Sequence, residues 1–310
     1  MSLQNPQNRD IVVAALRHAA PYVRLYRRKT FVIKAGGEAF ADAASARALL
    51  EQVAILHQVG IRTVLVHGGG PQNTQLAEAL GIDTRMVQGR RITDERTLGV
   101  ATMVLNGQIN TQIVADCRQL GLPAIGMSGV DAGLIQARKR APVRVSGQDA
   151  PVDFGFVGDI QAIDVSVLRT QLDNGLLPVM SPLSADDDGT LLNINADTVA
   201  AALASALGAA KLILATGAPG ILDDPANPSS LVSYVDLAGL ERMEKSGSLT
   251  DGMLPKARAI ETAIRGGVPR VHVISYKVPD SLLLEIFTNE GTGTLVVENI
   301  DMLSKAEKNA

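Results

Sequence analysis

From Phe31 onward, short apolar runs alternate with longer stretches in which apolar residues recur every three or four positions. The runs at 31–35, 61–67, 123–127, 177–181, 211–216 and 270–275 are rich in Val, Ile and Leu and predict buried strands. The stretches at 41–59, 71–80, 94–118, 164–174, 196–207, 236–246 and 253–266 predict amphipathic helices. Strand and helix in repeated alternation predict an α/β chain with a mainly parallel central sheet covered on both faces. Residues 133–163 break the rhythm with Gly, Pro and short β-like pieces, and predict a hairpin excursion.

Ahead of the first strand, 10–29 predicts a further helix with Ile11, Val12, Ala15, Leu16, Ala19, Tyr22, Val23 and Tyr26 on one side. Pro21 is expected to kink it. Arg24, Arg27, Arg28 and Lys29 crowd its last turn, where they suit the helix dipole. The turn Asp186–Gly189 is read as a seam, dividing an N-terminal lobe (30–185) from a C-terminal lobe (186–300). A helix (1–29) precedes them, and a polar tail (301–310), loose from Ser304 to Ala310, follows.

Two of the strands end in glycine. Phe31-Val32-Ile33-Lys34-Ala35-Gly36-Gly37 and Thr63-Val64-Leu65-Val66-His67-Gly68-Gly69-Gly70 each run from strand formers into a turn that feeds a helix. Such a turn leaves backbone N–H groups uncovered beside the positive end of a helix, which makes an anion cradle. Lys34 adds a point charge for a phosphoryl oxygen, although a lysine at a strand end is also an ordinary solvated rim residue. Two cradles, one with a lysine, predict an enzyme that handles a phosphate and a second anionic group. His67 is read as a hydrogen-bonded structural residue. The four histidines show no metal-ligand spacing, and no metal site is expected.

Three later segments add charge and amides. Arg91, just ahead of helix 94–118, can clamp a carboxylate through two parallel hydrogen bonds or simply face solvent. In Asn193-Ile194-Asn195-Ala196-Asp197, residues 193, 195 and 197 alternate, so two amides and a carboxylate can face one way. Asp197 also serves as the expected N-cap of helix 196–207. Gly252-Met253-Leu254-Pro255-Lys256, with Asp251 near its start, opens a helix and places Lys256 where the dipole disfavours a cation. A bound anion would offset that misplacement, which marks Lys256 as a second phosphate-binding lysine.

Composition narrows the setting. A net charge of -3, without a basic patch interleaved with aromatics, argues against a nucleic-acid surface. The Met1 end lacks a basic-then-apolar signal and no apolar run approaches ~20 residues, so no membrane segment is expected and the cytoplasm is the expected compartment. Cys117 is the single cysteine, which excludes an intrachain disulfide and reads as a buried thiol.

The segments Lys34-x-Gly36-Gly37, His67-Gly68-Gly69-Gly70-Pro71-Gln72, Arg91-Ile92-Thr93-Asp94, Asn193-Ile194-Asn195-Ala196-Asp197 and Gly252-Met253-Leu254-Pro255-Lys256 occur in one order. In them the chain resembles the N-acetylglutamate kinases of the amino-acid-kinase superfamily, from about Lys29 to Val297. The resemblance implies an open αβα sandwich with N-acetyl-L-glutamate in the N-terminal lobe and ATP in the C-terminal lobe. Mg²⁺ would be bound mainly through the nucleotide phosphates. Lys34 and Lys256 would stabilise the transferring phosphoryl group, and Asp197 would orient both. Gly36, Gly37 and Gly68 would contact phosphate; Gly69, Gly70, Arg91, Asn193 and Asn195 would hold the acceptor; Thr216, Gly217 and Gly220 would face the nucleotide. The acceptor carboxylate, with a solution pKa of about 4.3, is already an anion and needs no general base.

The same resemblance implies a homodimer, with helix 10–29 interlacing dimers into a homohexamer. It also implies feedback inhibition by arginine at a site that includes Glu285, Gly291 and Gly293. Three segments depart from the family pattern. Thr216-Gly217-Ala218-Pro219-Gly220 stands where Thr-Asp-Val-x-Gly is usual, Val130 where lysine is common, and Ser275-Tyr276-Lys277 in place of Asp-Gly-Arg. Two alternatives stay open: the same chemistry on N-succinylglutamate or N-acetyl-2-aminoadipate, and an inactive arginine-sensing regulator.

Overall fold

The computed structural model describes residues 6–87, 90–145, 149–227, 229–249, 252–288 and 291–303. Gly89, Asp251 and the tail from Ser304 lie outside them. Helix α1 (Pro6–Tyr26) runs through Pro21 and precedes β1 (Thr30–Ala35). A 3-10 turn over Gly37–Phe40 leads to α2 (Ala43–Gln58), β2 (Arg62–His67) and α3 (Gly70–Ala79). A short hairpin of β3 (Met86–Val87) and β4 (Arg90–Arg91) follows. Next come α4 (Glu95–Thr102), a π-helical segment (Met103–Asn110) and α5 (Thr111–Gln119) in one continuous run. The middle of the chain forms β5 (Ala124–Ser128), β6 (Ile135–Lys139), β7 (Gly158–Ile163), α6 (Ser166–Asp173), β8 (Leu177–Ser181), β9 (Leu183–Ala185) and β10 (Leu191–Asn193). The last part forms α7 (Ala196–Leu207), β11 (Lys211–Thr216), β12 (Tyr234–Asp236), α8 (Leu237–Ser246), α9 (Leu254–Arg265), β13 (Val271–Ser275), α10 (Ser281–Phe287) and β14 (Thr294–Val297).

Eight strands make the main sheet in the order β12-β14-β13-β11-β1-β2-β8-β5. Every neighbouring pair is parallel except β13 and β14. The excursion at 133–163 is the antiparallel β6–β7 hairpin, which joins β9 and β10 in a four-stranded second sheet. The turn at Asp186–Gly189 closes the β9–β10 hairpin, and the main sheet continues past it because β1 pairs directly with β11.

Side-chain alternation decides what each face of the sheet carries. Phe31, Ile33 and Ala35 of β1 pack with α2, α5 and α10 in one core. Val32 packs on the other face, with the Ala-rich α7 and with α9. Lys34 shares the parity of Val32, so it emerges on the face where α7 begins. The small residues of α7 bring that helix close to β1, and Gly208 (φ 62) ends it in the left-handed conformation that favours glycine.

Three expectations are corrected here. Helix 94–118 contains the π-helical segment, a wider turn that apolar spacing does not distinguish from α-helix. The strands β12 and β14 complete the sheet edge beyond the last predicted strand and α10 packs in the core beside α2, and each of the three is too short to show a period. The cap of α7 is Asn195, whose Oδ1 accepts from the N–H groups of Asp197 (2.8 Å) and Thr198 (3.2 Å). Asp197 lies inside the first turn, free to point elsewhere.

Candidate active site

Asp197 points at two lysines. Lys34 Nζ lies 2.9 Å from its Oδ1, and Lys256 Nζ lies 3.8 Å from its Oδ2. Lys34 and Asp197 are buried, at 7% and 4% exposure, so this pair is desolvated. Burial pushes the Asp197 carboxyl up, but Lys34 and then Lys256 more than offset it and hold it below the ordinary carboxylate value. Lys256 stands in the first turn of α9, as its position in the sequence predicts, and also reaches the Gly252 carbonyl at 3.4 Å.

The two glycine turns meet beside this centre. A Cβ on Gly37 would sit 2.8 Å from the Cα of Gly69, and one on Gly68 would sit 3.4 Å from the Gly37 nitrogen. Gln72, in the first turn of α3, ties them together by donating from Nε2 to the Gly37 carbonyl at 2.7 Å. Gly69 is hemmed from below, where a Cβ would meet Ile109 Cδ1 and Leu105 Cδ2 at 2.7 Å. Gly36 precedes this contact, and Gly70 opens α3 with nothing near its missing Cβ. The N-terminus of α3, with Pro71 in its first turn where a missing N–H costs no intrahelical bond, therefore adjoins the bare backbone of both turns. His67 is buried below them: Nδ1–H donates to the Gly68 carbonyl (3.2 Å) and Nε2 accepts from Asn110 Nδ2 (3.1 Å). That tautomer is assigned from the hydrogen-bond pattern. Burial lowers the His67 pKa to about 4, so the ring is neutral and structural.

A cavity of about 580 Å³ opens from Lys256 and Asp197 towards the hairpins, lined also by Arg91, Asn193 and Asn195. Arg91 Nη2 donates to Thr74 Oγ1 at 2.7 Å, while its Nη1 is buried with no protein partner. A carboxylate would complete that guanidinium. Asn193 ends β10, held by its N–H to the Phe156 carbonyl at 2.9 Å. Arg140 donates from Nε (2.9 Å) and Nη2 (2.7 Å) to Asp159 Oδ1 on the neighbouring strand. Thr74, Arg140 and Asp159 were not singled out from the sequence, and Gln72 was quoted in its motif without a role. Their only signal is residue type, because their partners are set by the hairpins.

Thr216, Gly217 and Gly220 do not line this cavity. Thr216 ends β11 and its Oγ1 bonds Ala218, closing the turn locally. Gly217 is covered by Lys277, whose Nζ would lie 3.6 Å from an added Cβ, and by Tyr276. Gly220 is a packing position, with Leu231 Cδ1 only 2.6 Å from where a Cβ would be.

A second cavity, of about 530 Å³, lies where α1 meets the C-terminal part of the chain. Tyr22, Lys29, Lys211, Glu285, Gly291 and Gly293 are among its lining residues. Lys211 Nζ donates to His272 Nε2 (2.7 Å), and His272 Nδ1 donates to Glu285 Oε1 (2.7 Å). Burial, with Lys211 adding to it, lowers the His272 pKa to about 4. Burial raises the Glu285 carboxyl, and its hydrogen bonds from His272 and the Thr292 N–H bring it below its ordinary value.

Residues 29–275 match the amino acid kinase family. The chain is 49% identical to the acetylglutamate kinase of Myxococcus xanthus, over 92% of this chain and 94% of that protein. It is 45% identical to the acetylglutamate kinase of Symbiobacterium thermophilum, over 92% and 97%. The chain belongs to the amino acid kinase family, among its acetylglutamate kinases. Among solved structures it resembles N-acetylglutamate synthase from Neisseria gonorrhoeae complexed with coenzyme A and N-acetyl-glutamate, at 29% identity and a TM-score of 0.80. That match covers 93% of this chain but only 63% of the synthase. The same synthase complexed with coenzyme A and L-arginine gives 27% identity and a TM-score of 0.78. The isopentenyl phosphate kinase fold is also shared, at a TM-score of 0.59.

Proposed function

We propose that this acetylglutamate kinase relative transfers the γ-phosphoryl group of ATP to the side-chain carboxylate of N-acetyl-L-glutamate, as a step of arginine biosynthesis. The observation that carries the reading is the convergence of Lys34 and Lys256 on Asp197 beside the joined glycine turns. Arg91 and Asn193 hold the acceptor's α-carboxylate and acetamido end, with Asn195 fixing the start of α7. Its side-chain carboxylate then approaches the γ-phosphorus over Gly69 and Gly70. A carboxylate oxygen forms the new bond to phosphorus, the bond to the bridging oxygen breaks, and that electron pair leaves on ADP. The protein contributes position and positive charge: both lysines and the amides around Gly36 and Gly37 take up charge on the phosphoryl oxygens, while the Gly68 N–H is already given to the Ala35 carbonyl at 2.9 Å.

ATP would carry Mg²⁺ on its own phosphates. Among the described residues no three acidic, histidine or cysteine side chains converge, and Asp197 is engaged by the two lysines. In this reading 30–185 is the acceptor lobe and 186–300 the nucleotide lobe, with Thr216, Gly217 and Gly220 on the nucleotide side. No helix among the described residues is long and apolar enough to cross a membrane, which suits a cytoplasmic enzyme. A coupled ADP-release assay tests the reaction, with N-acetyl-L-glutamate, N-succinylglutamate and N-acetyl-2-aminoadipate as acceptors. Turnover fastest with the first is expected. No turnover with any of them would favour the inactive regulator.

A regulatory reading is favoured by the second cavity. Its buried Glu285 carboxylate faces a space of amino-acid size, which suits arginine as inhibitor. Helix α1 edges it with Tyr22, which also stacks edge-on against Phe287 of α10. The same helix leaves Ile11, Val13, Leu16 and Leu25 exposed, an apolar surface that suits dimers interlaced as a hexamer.

A further inference from the structure

The cavity assigned to the acceptor is lopsided in charge. Arg90, Arg91, Arg140, Lys256 and Arg258 line it, against two carboxylates, Asp159 and Asp197. Asp197 is taken by Lys34 and Lys256, and Asp159 by Arg140. Among the described residues, neither Arg90 nor Arg258 has an ion-pair partner. Arg90 and Arg91 are successive residues of β4, so their side chains leave opposite faces of the hairpin. Arg91 goes to Thr74, while Arg90 lies within the field of Arg140 and Arg258. Burial lowers the Arg90 pKa first, Arg140 and Arg258 add to the effect, and Asp159 opposes them.

Burial orders these charges from floor to mouth. Lys34 and Asp197 are buried, Lys256 and Arg90 are half-buried, and Arg258 is exposed. Lys256 and Arg258 are two residues apart on α9, so they leave the helix about 200° apart. Lys256 faces Asp197, and Arg258 stands at the outer end of the cavity with Arg90 and Arg140 of the hairpins. Both carboxylates of the acceptor already have partners: Arg91 takes one, and the other meets the phosphoryl group beside the lysines. No group of the bound acceptor is left for Arg90 and Arg258. Their charges act at a distance instead, because a cleft lined by one sign of charge focuses its field on ligands of the other sign. We propose that Arg90 and Arg258 form a charged mouth that draws the acceptor in and favours a dicarboxylate over a monocarboxylate of the same shape. This rests on the acceptor reading of the cavity. A field of this kind acts on affinity and is screened by salt.

The test is calorimetric titration of N-acetyl-L-glutamate and of its monoanionic analogue N-acetyl-L-glutamine, at about 20 mM and about 500 mM salt. The proteins are wild type, Arg258→Gln, Arg258→Lys and Arg90→Gln. Arg258 is exposed, so its replacement spares the fold, and circular dichroism checks this for each variant. At low salt, Arg258→Gln and Arg90→Gln are each expected to lose about fourfold in affinity for the dianion and about twofold for the monoanion. The difference arises because Coulomb energy scales with ligand charge. At high salt both losses shrink towards none, and Arg258→Lys, which keeps the charge, binds as wild type does. In turnover the loss falls on KM for the acceptor rather than on kcat. Losses equal for the two ligands, or indifferent to salt, would mark direct contact or a structural role and overturn the mouth. Unchanged affinity at low salt in both neutral variants would overturn it too, as would a wild-type protein that did not bind the dianion. Binding needs no turnover: a chain that phosphorylated none of the acceptors would fail the functional reading while the titrations still decided the mouth.

Discussion

Gly37 and Gly69 approach so closely that the missing Cβ of one would press on the Cα of the other at 2.8 Å. The turns after β1 and β2 thus form one surface rather than two cradles, and the absence of side chains is what lets them meet. Gly37→Ala should force the backbones apart. We expect a loss of about 1–3 kcal/mol in stability, the usual cost of overpacking, and turnover reduced by more than tenfold. Urea unfolding and steady-state rates on the purified variant would check this. Full activity would mean that the turns move independently.

Lys34 and Lys256 share Asp197 but differ in what their loss does. Lys34 is buried, so Lys34→Met strands a buried carboxylate and is expected to cost about 3–5 kcal/mol as well as activity. Lys256 is partly solvated, so Lys256→Ala should leave the melting temperature nearly unchanged while kcat falls about 10²- to 10³-fold. Comparing thermal melts with kcat separates the two. Equal destabilisation by both replacements would contradict the geometry.

Arg91 is seated by Thr74 and has one buried nitrogen without a partner. Arg91→Ala should raise KM for the acceptor about 100-fold with a smaller effect on kcat. Thr74→Val, which unseats the guanidinium without removing it, should raise KM about five- to tenfold. An Arg91→Ala variant that lost kcat and kept KM would assign the residue to the phosphoryl group instead.

Two buried histidines set the acid side of stability. His67 and His272 both have pKa values lowered from 6.5 to about 4, mainly by burial. Between pH 6.5 and 4 the unfolded chain binds protons that the folded chain refuses, so stability should fall as pH drops through that window. Below about pH 4 their contribution to the slope ends. Urea midpoints at pH 7.0, 5.5 and 4.5 measure it, and His67→Gln should flatten the trend by its own share. A midpoint that did not move would show that neither ring is neutral by design of the fold.

Glu285 is buried beside the second cavity and held by His272 and the Thr292 N–H. At concentrations near 100 Kd, L-arginine should stabilise the protein by about 2.7 kcal/mol and raise its melting temperature by several degrees. Glu285→Gln should abolish the shift and spare turnover without arginine. A wild-type melt indifferent to millimolar arginine would remove the regulatory reading.

The sheet and its helices were legible because their apolar periods are long and regular. The centre was legible for a different reason: Lys34 stands beside a glycine turn that can cradle an anion, and Lys256 stands at a helix N-terminus, where a cation is uncomfortable. What periodicity missed is short or irregular. The π-helical segment has the apolar spacing of an α-helix, while β12 and β14 are held by the sheet edge and α10 by its packing in the core, rather than by local pattern. The cap of α7 was misplaced by two residues because Asn195 and Asp197 are both good caps, and only the pull of two lysines on Asp197 distinguishes them. Arg140 with Asp159, and Thr74 with Arg91, meet through hairpin geometry that no spacing encodes.

The pairing of β1 with β11 has a consequence for how the molecule comes into being. A ribosome releases β1 early, yet the strand that must lie along its open edge, and the carboxylate that must neutralise Lys34, emerge only after most of the message has been read. Until then the growing chain holds an unmatched strand border and a cation with nowhere dry to go. Competence to fold and competence to act therefore arrive together, late in synthesis, and a polypeptide cut short before α7 would have neither.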